Sequence, residues 1–512
     1  MNEIISENIN TFEDIIKIIS EILKGSSVSE PRLLGGSLTD FNIDEHFLQN
    51  VWFDRHIQED NLKTLSDKEL QIINPGRWNK SGGPDFLGAE IMINNTIVKG
   101  DVEIHLISSD WVNHGHNTNP QYNDVILHAF LKSGNNEIYE TNYLSNKIEC
   151  FELEDYIFPD IQTLKKIISV EDFSYESNTT AGRCAKLLVN QSVDFVLKFL
   201  DLAGNERIEQ KVARFKNQLR GVSFNQVFYQ ALMTTMGHKS SKPLFFLLSK
   251  RSPVDELLDY TQQYQGQQKI EAIESILLNT ANLVPPRDEF DEHFDEETMN
   301  YINTLNRYWA EFSGFFNDRI IPHTKNWMAN VRPVNFPQRR IAGISHLIVK
   351  YSDEYFLSKF VNIFKSNIHI GDNKDHIKKF IKNIQQLLVV DEQDFWTHRF
   401  SFGTKKSAQS MKLIGESTAL SIMFNSLIPI VILKARETQD EQLEQFCFTV
   451  LKYFPKLPEN EITKFMTHRI FESNEKIINL IKSEKQQQAF FHIFNQCCGN
   501  NAVTCDKCVY IN

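Results

Sequence analysis

The chain has 512 residues, 41% of them hydrophobic and 23% charged, with a formal net charge of −12. Those proportions exclude disordered, collagen-like and coiled-coil chains and leave a globular protein with material for about three domains. The negative sum argues against a protein that coats nucleic acid nonspecifically.

The start, MNEIISENIN, has neither a basic segment nor an apolar run, so no secretory signal is expected and the cytoplasm is the expected compartment. Residues 10–24 show helical spacing and are followed by GSSVSEPRLLGGS, so 1–44 reads as an N-terminal helix and linker. From Asp44 a short helix leads into strand-like runs at 69–73, 86–93, 96–107 and 124–132, a sheet domain over 45–160. Apolar residues then recur at helical spacing over 161–490, and a cysteine-rich tail occupies 491–512. The expected class is α+β, a small mixed sheet followed by a large all-helical domain. The most apolar stretch, Ala419–Ala435, contains Asn425 and Pro429, so it reads as a buried helix pair and no membrane partner is expected.

Charge is distributed unevenly. Residues 1–160 carry 11 basic and 27 acidic side chains, net −16, and the remainder carries +4. An acidic front part can hold divalent cations, and the weakly basic remainder permits a nucleic-acid partner through the helical domain. The run Asp288–Glu297, with seven acids, reads as a solvated helix start.

The segment GGPDFLGAEIMINNTIVKGDVEIHLISSDWVNHGH carries the chemistry. In its second strand Val102, Ile104 and Leu106 alternate with Asp101, Glu103 and His105, which places Glu103 and His105 on one face. With Asn94-Asn95 as a two-residue turn, Asp85 falls opposite Ile104. Bringing Asp85 to Glu103 requires a bulge, for which Gly88 and Gly100 are the candidates. Four histidines, His105, His114, His116 and His128, fall within 24 residues, with Trp111 and Tyr122 among them. Such ligand density points to a transition-metal site, with His114, His116 and His128 as further candidates.

An Asp at the mouth of one strand and Glu-x-basic on the next resembles the PD-(D/E)xK nuclease superfamily. The resemblance implies an αβββαβ core in which Asp85, Glu103 and the Ile104 carbonyl hold Mg²⁺ or Mn²⁺, with His105 orienting or deprotonating the attacking water. Here His105 stands where that superfamily usually has Lys, so the permanent positive charge is missing. Three readings follow: a divalent-metal nuclease or phosphodiesterase, a noncatalytic nucleic-acid- or protein-binding scaffold on a degenerate nuclease fold, and a histidine-rich transition-metal hydrolase.

Several longer words, FLQNVW, NPGRWNKSGGPDF, GDVEIHLISSDWVNHGH, YNDVILHAF, NERIEQK and VRPVNFPQRRIA, together with the cysteine tail, resemble the bacterial domain-of-unknown-function family 2851 from about residue 45 onward. That resemblance implies no particular reaction.

Two further features lie outside the hairpin. Cys497, Cys498, Cys505 and Cys508 are spaced C-C-x6-C-x2-C, suited to zinc with His492 as a substitute ligand, or to an iron–sulfur cluster with Cys150 or Cys184 as a distant ligand. In WMANVRPVNFPQRRI, Arg332, Arg339 and Arg340 sit among aromatic residues and are candidates to grip phosphates; the structural alternative is a loop and helix entry whose arginines pair with the acidic front domain.

Overall fold

A computed structural model describes residues 9–24, 43–79, 82–134, 139–168, 181–286, 294–329, 331–353, 356–498 and 505. The chain forms two compact units: Glu30–Glu176 with Asn501–Val509, and Met1–Ser29 with Ser177–Asn500 and Tyr510–Asn512.

The first unit is a mixed sheet of seven strands: β1 (Leu70–Asn74), β2 (Arg77–Trp78), β3 (Phe86–Ile93), β4 (Thr96–Ile107), β5 (Val125–Lys132), β6 (Tyr139–Thr141) and β7 (Lys147–Glu152). Their order is β1-β3-β4-β5-β7-β6, with β2 also paired to β3. The helix Glu45–Phe53 precedes them, capped by the Asp44 side chain accepting from the Phe47 amide.

The β3–β4 hairpin turns at Asn94 and Asn95, both with positive φ (44° and 63°), as the favoured two-residue turn demands. Pairing runs in strict register from Ile93 opposite Thr96 to Ala89 opposite Gly100, then slips by one so that Phe86 faces Val102. Gly88, at φ +66°, sits inside the slip. Its amide donates to Asp101 Oδ1 at 3.0 Å instead of joining the ladder. The slip carries Asp85 from Ile104 to Glu103, the displacement that convergence of the two carboxylates requires.

β4 continues to β5 in parallel through 108–124, a crossover of one helical turn (Asp110–Asn113) and two short 3-10 turns. Trp111 and Tyr122 from the crossover pack with Val125 and Ile148 in one buried cluster, which pins it to a face of the sheet. β5 pairs in parallel with β7 and β7 antiparallel with β6. Cross-strand neighbours share a face, so Glu103, His128 and Cys150 form one row across β4, β5 and β7. His105 follows two residues further along β4 on the same face.

The second unit is helical. Its 26-residue helix Val193–Gln218 packs against Glu484–Ile493 at Gly204, where a Cβ would stand 2.4 Å from the Lys485 carbonyl oxygen. The N-terminal helix Phe12–Lys24 belongs to this unit: the Phe12 ring stacks on Phe199 and meets the His492 ring edge-on at 4.7 Å. The stretch expected to be a helix pair is instead one continuous element, Glu416–Ile422 and Ile428–Glu437 joined through a π-helical turn at Met423–Leu427. Pro429 is accommodated because the widened turn relieves the backbone hydrogen bonds it would break. This helix is long and apolar enough to cross a membrane, but 72% of its apolar window is buried inside the molecule, as in a core helix. At the acidic run, Asp295 caps the helix Glu296–Phe316, and Asp295 and Glu297 both accept from the buried Arg399 guanidinium.

Candidate metal centre

Asp85 and Glu103 are locked to each other's backbone. The Asp85 amide donates to Glu103 Oε2 at 2.9 Å, and the Ile104 amide donates to Asp85 Oδ2 at 2.9 Å. Gln49, from the helix Glu45–Phe53, donates to Asp85 Oδ1 at 2.7 Å. Both Asp85 oxygens are therefore engaged, and the Ile104 residue expected to offer a carbonyl contributes its N–H. Burial pushes both acids upward, Asp85 to about 7 and Glu103 to about 9, with the neighbouring Asp85 charge adding to the shift of Glu103.

The free side of Glu103 faces the histidines. Its Oε1 lies 3.3 Å from His116 Nε2 and 3.7 Å from His105 Nε2. His105 Nε2 is in turn 3.2 Å from His114 Nδ1 and 3.3 Å from His116 Nε2. The three ring nitrogens lie within 4.8 Å of one another. One N–H on His105 can serve only one of these neighbours, so ring lone pairs face each other across the cluster. The spacings match a tetrahedral ion, whose ligand nitrogens at 2.0–2.1 Å stand about 3.3 Å apart.

Electrostatics keep these rings in the ligating form. Burial, reinforced by the neighbouring imidazoles, holds His105 down to about 2 and His116 to about 4, so both are neutral at pH 7. Trp111 and Tyr122 wall the cluster, with the Tyr122 ring 3.9 Å from that of His116. Burial and the nearby Glu103 and Asp85 carboxyls raise the Tyr122 hydroxyl above its usual range. His114 is exposed and opens the cluster to solvent. Burial raises the carboxyl of half-buried Glu45, on the helix that carries Gln49.

His128 stands behind the cluster and not in it. Its Nε2 lies 2.8 Å from His105 Nδ1, and its Nδ1 faces Glu140 Oε1 at 3.5 Å. Glu140 carried no sequence signal, because β6 reaches His128 only through pairing with β7.

Outside the sheet the picture is different. Arg339, a candidate phosphate contact, is fully buried and its guanidinium donates to the carbonyls of Trp396, Arg399, Met411, Lys412 and Val334. Five carbonyl acceptors leave no donor for a polyanion, so this residue ties together the loop 396–412. Arg340 is half-buried and donates to Asn335 at 2.6 Å and Thr418 at 3.3 Å, while Arg332 is exposed. Cys497 and Cys498 end the π-helical turn Phe494–Cys498, half-buried like Cys505, and Cys508 lies outside the described residues. His492 is buried and its Nδ1 meets Gln210 Nε2 at 3.2 Å.

Fold and site together define an α+β protein with a histidine-rich candidate metal centre on its sheet. The model of the family described as protein of unknown function (DUF2851) matches residues 45–461, and the chain belongs to that family. No curated protein and no solved structure matches it.

Proposed function

We propose that the protein is a metal-dependent hydrolase whose ion is a zinc-like transition metal held by His105, His114 and His116, with the fourth position left for water and Glu103 beside it. The observation that carries this reading is the convergence of three imidazole nitrogens, two of them on rings held neutral, within 4.8 Å. Imidazole donors suit zinc, iron or nickel better than magnesium or manganese, which prefer oxygen. Such an ion would act as a Lewis acid and supply a nucleophile near neutral pH.

The chain's own residues do the rest. Glu103 has one oxygen anchored by the Asp85 amide and the other turned to the cluster, so it accepts or returns a proton there without changing position. Asp85 is a positioning residue, itself held by Gln49 and the Ile104 amide. Trp111 and Tyr122 exclude water on the inner side, and substrate enters past His114.

The juxtaposition of Asp85 and Glu103 supports a phosphodiester as the bond cleaved, and it favours the second reading, a Mg²⁺ or Mn²⁺ nuclease, over hydrolysis of an ordinary ester. The cytoplasm, a reducing compartment, fits the thiol-rich tail. The test is hydrolysis of an aryl phosphodiester and of single-stranded and duplex DNA and RNA by metal-free protein reconstituted with Zn²⁺, Mn²⁺ or Mg²⁺. Turnover with Zn²⁺ that drops about 10²-fold or more in Glu103→Gln and His116→Ala supports the hydrolase. Turnover with Mg²⁺ or Mn²⁺ but not with Zn²⁺ selects the nuclease reading. Equal rates in wild type and Glu103→Gln on every substrate leave a binding scaffold.

A further inference from the structure

Behind the first cluster, three adjacent strands deliver a second set of donors. His128 on β5 pairs directly with Cys150 on β7, and Glu140 on β6 pairs with Ile148, two residues before Cys150 and on its face. A ring nitrogen of His128, a Glu140 carboxylate oxygen and Cys150 Sγ lie within 4.8 Å of one another, and His128 Nδ1 is the nitrogen that faces Glu140, at 3.5 Å. The residues are 0%, 4% and 1% exposed.

The His128 and Glu140 members of this set are unsatisfied as protein alone. Both oxygens of Glu140 and the Nδ1 of His128 are buried without a hydrogen-bond partner, and no lysine or arginine is paired with Glu140 among the described residues. A buried carboxyl that makes no hydrogen bond and is faced by a histidine nitrogen at 3.5 Å rather than by a lysine or arginine is expensive. A cation satisfies all three orphan atoms at once.

We propose that His128, Glu140 and Cys150 form a second metal site, specific for a borderline-soft ion such as zinc. The mixed nitrogen, oxygen and sulfur donors select against magnesium and calcium, and three protein ligands leave a fourth position for water or an exogenous donor. Binding releases the Cys150 thiol proton to solvent and forms the metal–sulfur bond. The ion ties the edge strand β6 to β7 and β5, a three-residue strand otherwise held by a short antiparallel ladder.

The site is linked to the first cluster by the contact between His128 Nε2 and His105 Nδ1. An ion on His128 Nδ1 leaves the ring proton on Nε2, pointing at His105. An ion on His105 Nε2 leaves that ring's proton on Nδ1, pointing at His128. Only one proton fits between two nitrogens 2.8 Å apart, so filling both sites releases one imidazole proton.

The test is a titration of metal-free protein with Co²⁺ under reducing conditions, in a background with Cys497, Cys498, Cys505 and Cys508 replaced by Ser. The expected result is a near-ultraviolet thiolate-to-cobalt charge-transfer band that saturates at the intensity of one cobalt–thiolate bond per chain. It should persist in His114→Ala, which breaks only the first cluster, so this outcome does not depend on the hydrolase reading. The band should vanish in Cys150→Ser and weaken at least tenfold in Co²⁺ affinity in Glu140→Gln, a near-isosteric change, with far-ultraviolet circular dichroism confirming that each variant is folded. Absence of the band in the background protein, its survival in Cys150→Ser, or unchanged affinity in Glu140→Gln overturns the assignment.

Discussion

His105 Nδ1 and His128 Nε2 lie 2.8 Å apart inside the sheet, where both rings are buried, so the tautomer of one dictates that of the other. A ligating histidine needs its second nitrogen oriented by such a partner, and losing the partner typically costs 10–100-fold in metal affinity. His128→Ala should weaken zinc binding by the His105, His114 and His116 cluster by about that factor, whereas His114→Ala should remove it. Competition with a chromophoric chelator measures both.

The titrating groups of the site make stability depend on pH in a way that metal should reverse. Asp85 and Glu103 are raised in the folded state, so between about pH 4.5 and 9 the folded chain holds protons that the unfolded chain releases. His105 and His116 are lowered, so from their folded values up to about pH 6.5 the unfolded chain holds the extra protons. The two effects oppose each other below pH 6.5, and above it only the carboxyl effect survives. Metal-free protein should therefore lose about 1 kcal/mol per pH unit for each carboxyl still protonated as pH rises from 6.5 toward 9. With zinc bound, Glu103 is ionised and the loss should shrink or vanish. Urea denaturation across this pH range, with and without zinc, gives the comparison.

The bulge that joins Asp85 to Glu103 can be probed at Gly88, and the regular ladder beside it at Gly100. Gly88 has open space for a Cβ but a φ of +66°, so Gly88→Ala should cost about 1–2 kcal/mol. At Gly100 a Cβ would stand 2.4 Å from Ile126 Cγ2 and 2.5 Å from the Asp124 carbonyl oxygen. Backbone cannot yield as a side chain does, so Gly100→Ala should destabilise more and displace the start of β5. Thermal melts of the two variants should rank in that order.

In the helical unit, Arg339→Lys should destabilise by about 3–5 kcal/mol, because a lysine cannot reach five carbonyls and leaves several buried acceptors empty. Arg332→Ala, at an exposed position, should stay within about 0.5 kcal/mol of wild type. Chemical denaturation distinguishes these outcomes.

Local pattern made much of the sheet legible. The runs at 86–93 and 96–107 are β3 and β4 as they stand and the Asn94-Asn95 turn closes them; a bulge was expected at Gly88 or Gly100 on the premise that Asp85 meets Glu103, and it lies at Gly88. The histidine cluster was visible because His105, His114 and His116 lie within a dozen residues on a strand and the loop that folds back over it. What could not be read was non-local. Glu140 meets His128 only through the β5–β7–β6 order, and Gln49 reaches Asp85 from a helix 36 positions away. Arg339 looked like a phosphate grip because sequence shows its charge and aromatic neighbours but not the carbonyls of 396–412 that enclose it.

The most direct measurement is zinc X-ray absorption on the full chain loaded with one equivalent of zinc, with Cys150, Cys497, Cys498, Cys505 and Cys508 replaced by Ser, which leaves the histidine cluster as the candidate site among the described residues of the sheet. The expected spectrum is a shell of nitrogen and oxygen donors at about 2.0–2.1 Å with the multiple scattering of three imidazoles, and no zinc is retained by His114→Ala. Zinc that washes out on dialysis, or a spectrum without imidazole scattering, would contradict a metal centre built from His105, His114 and His116.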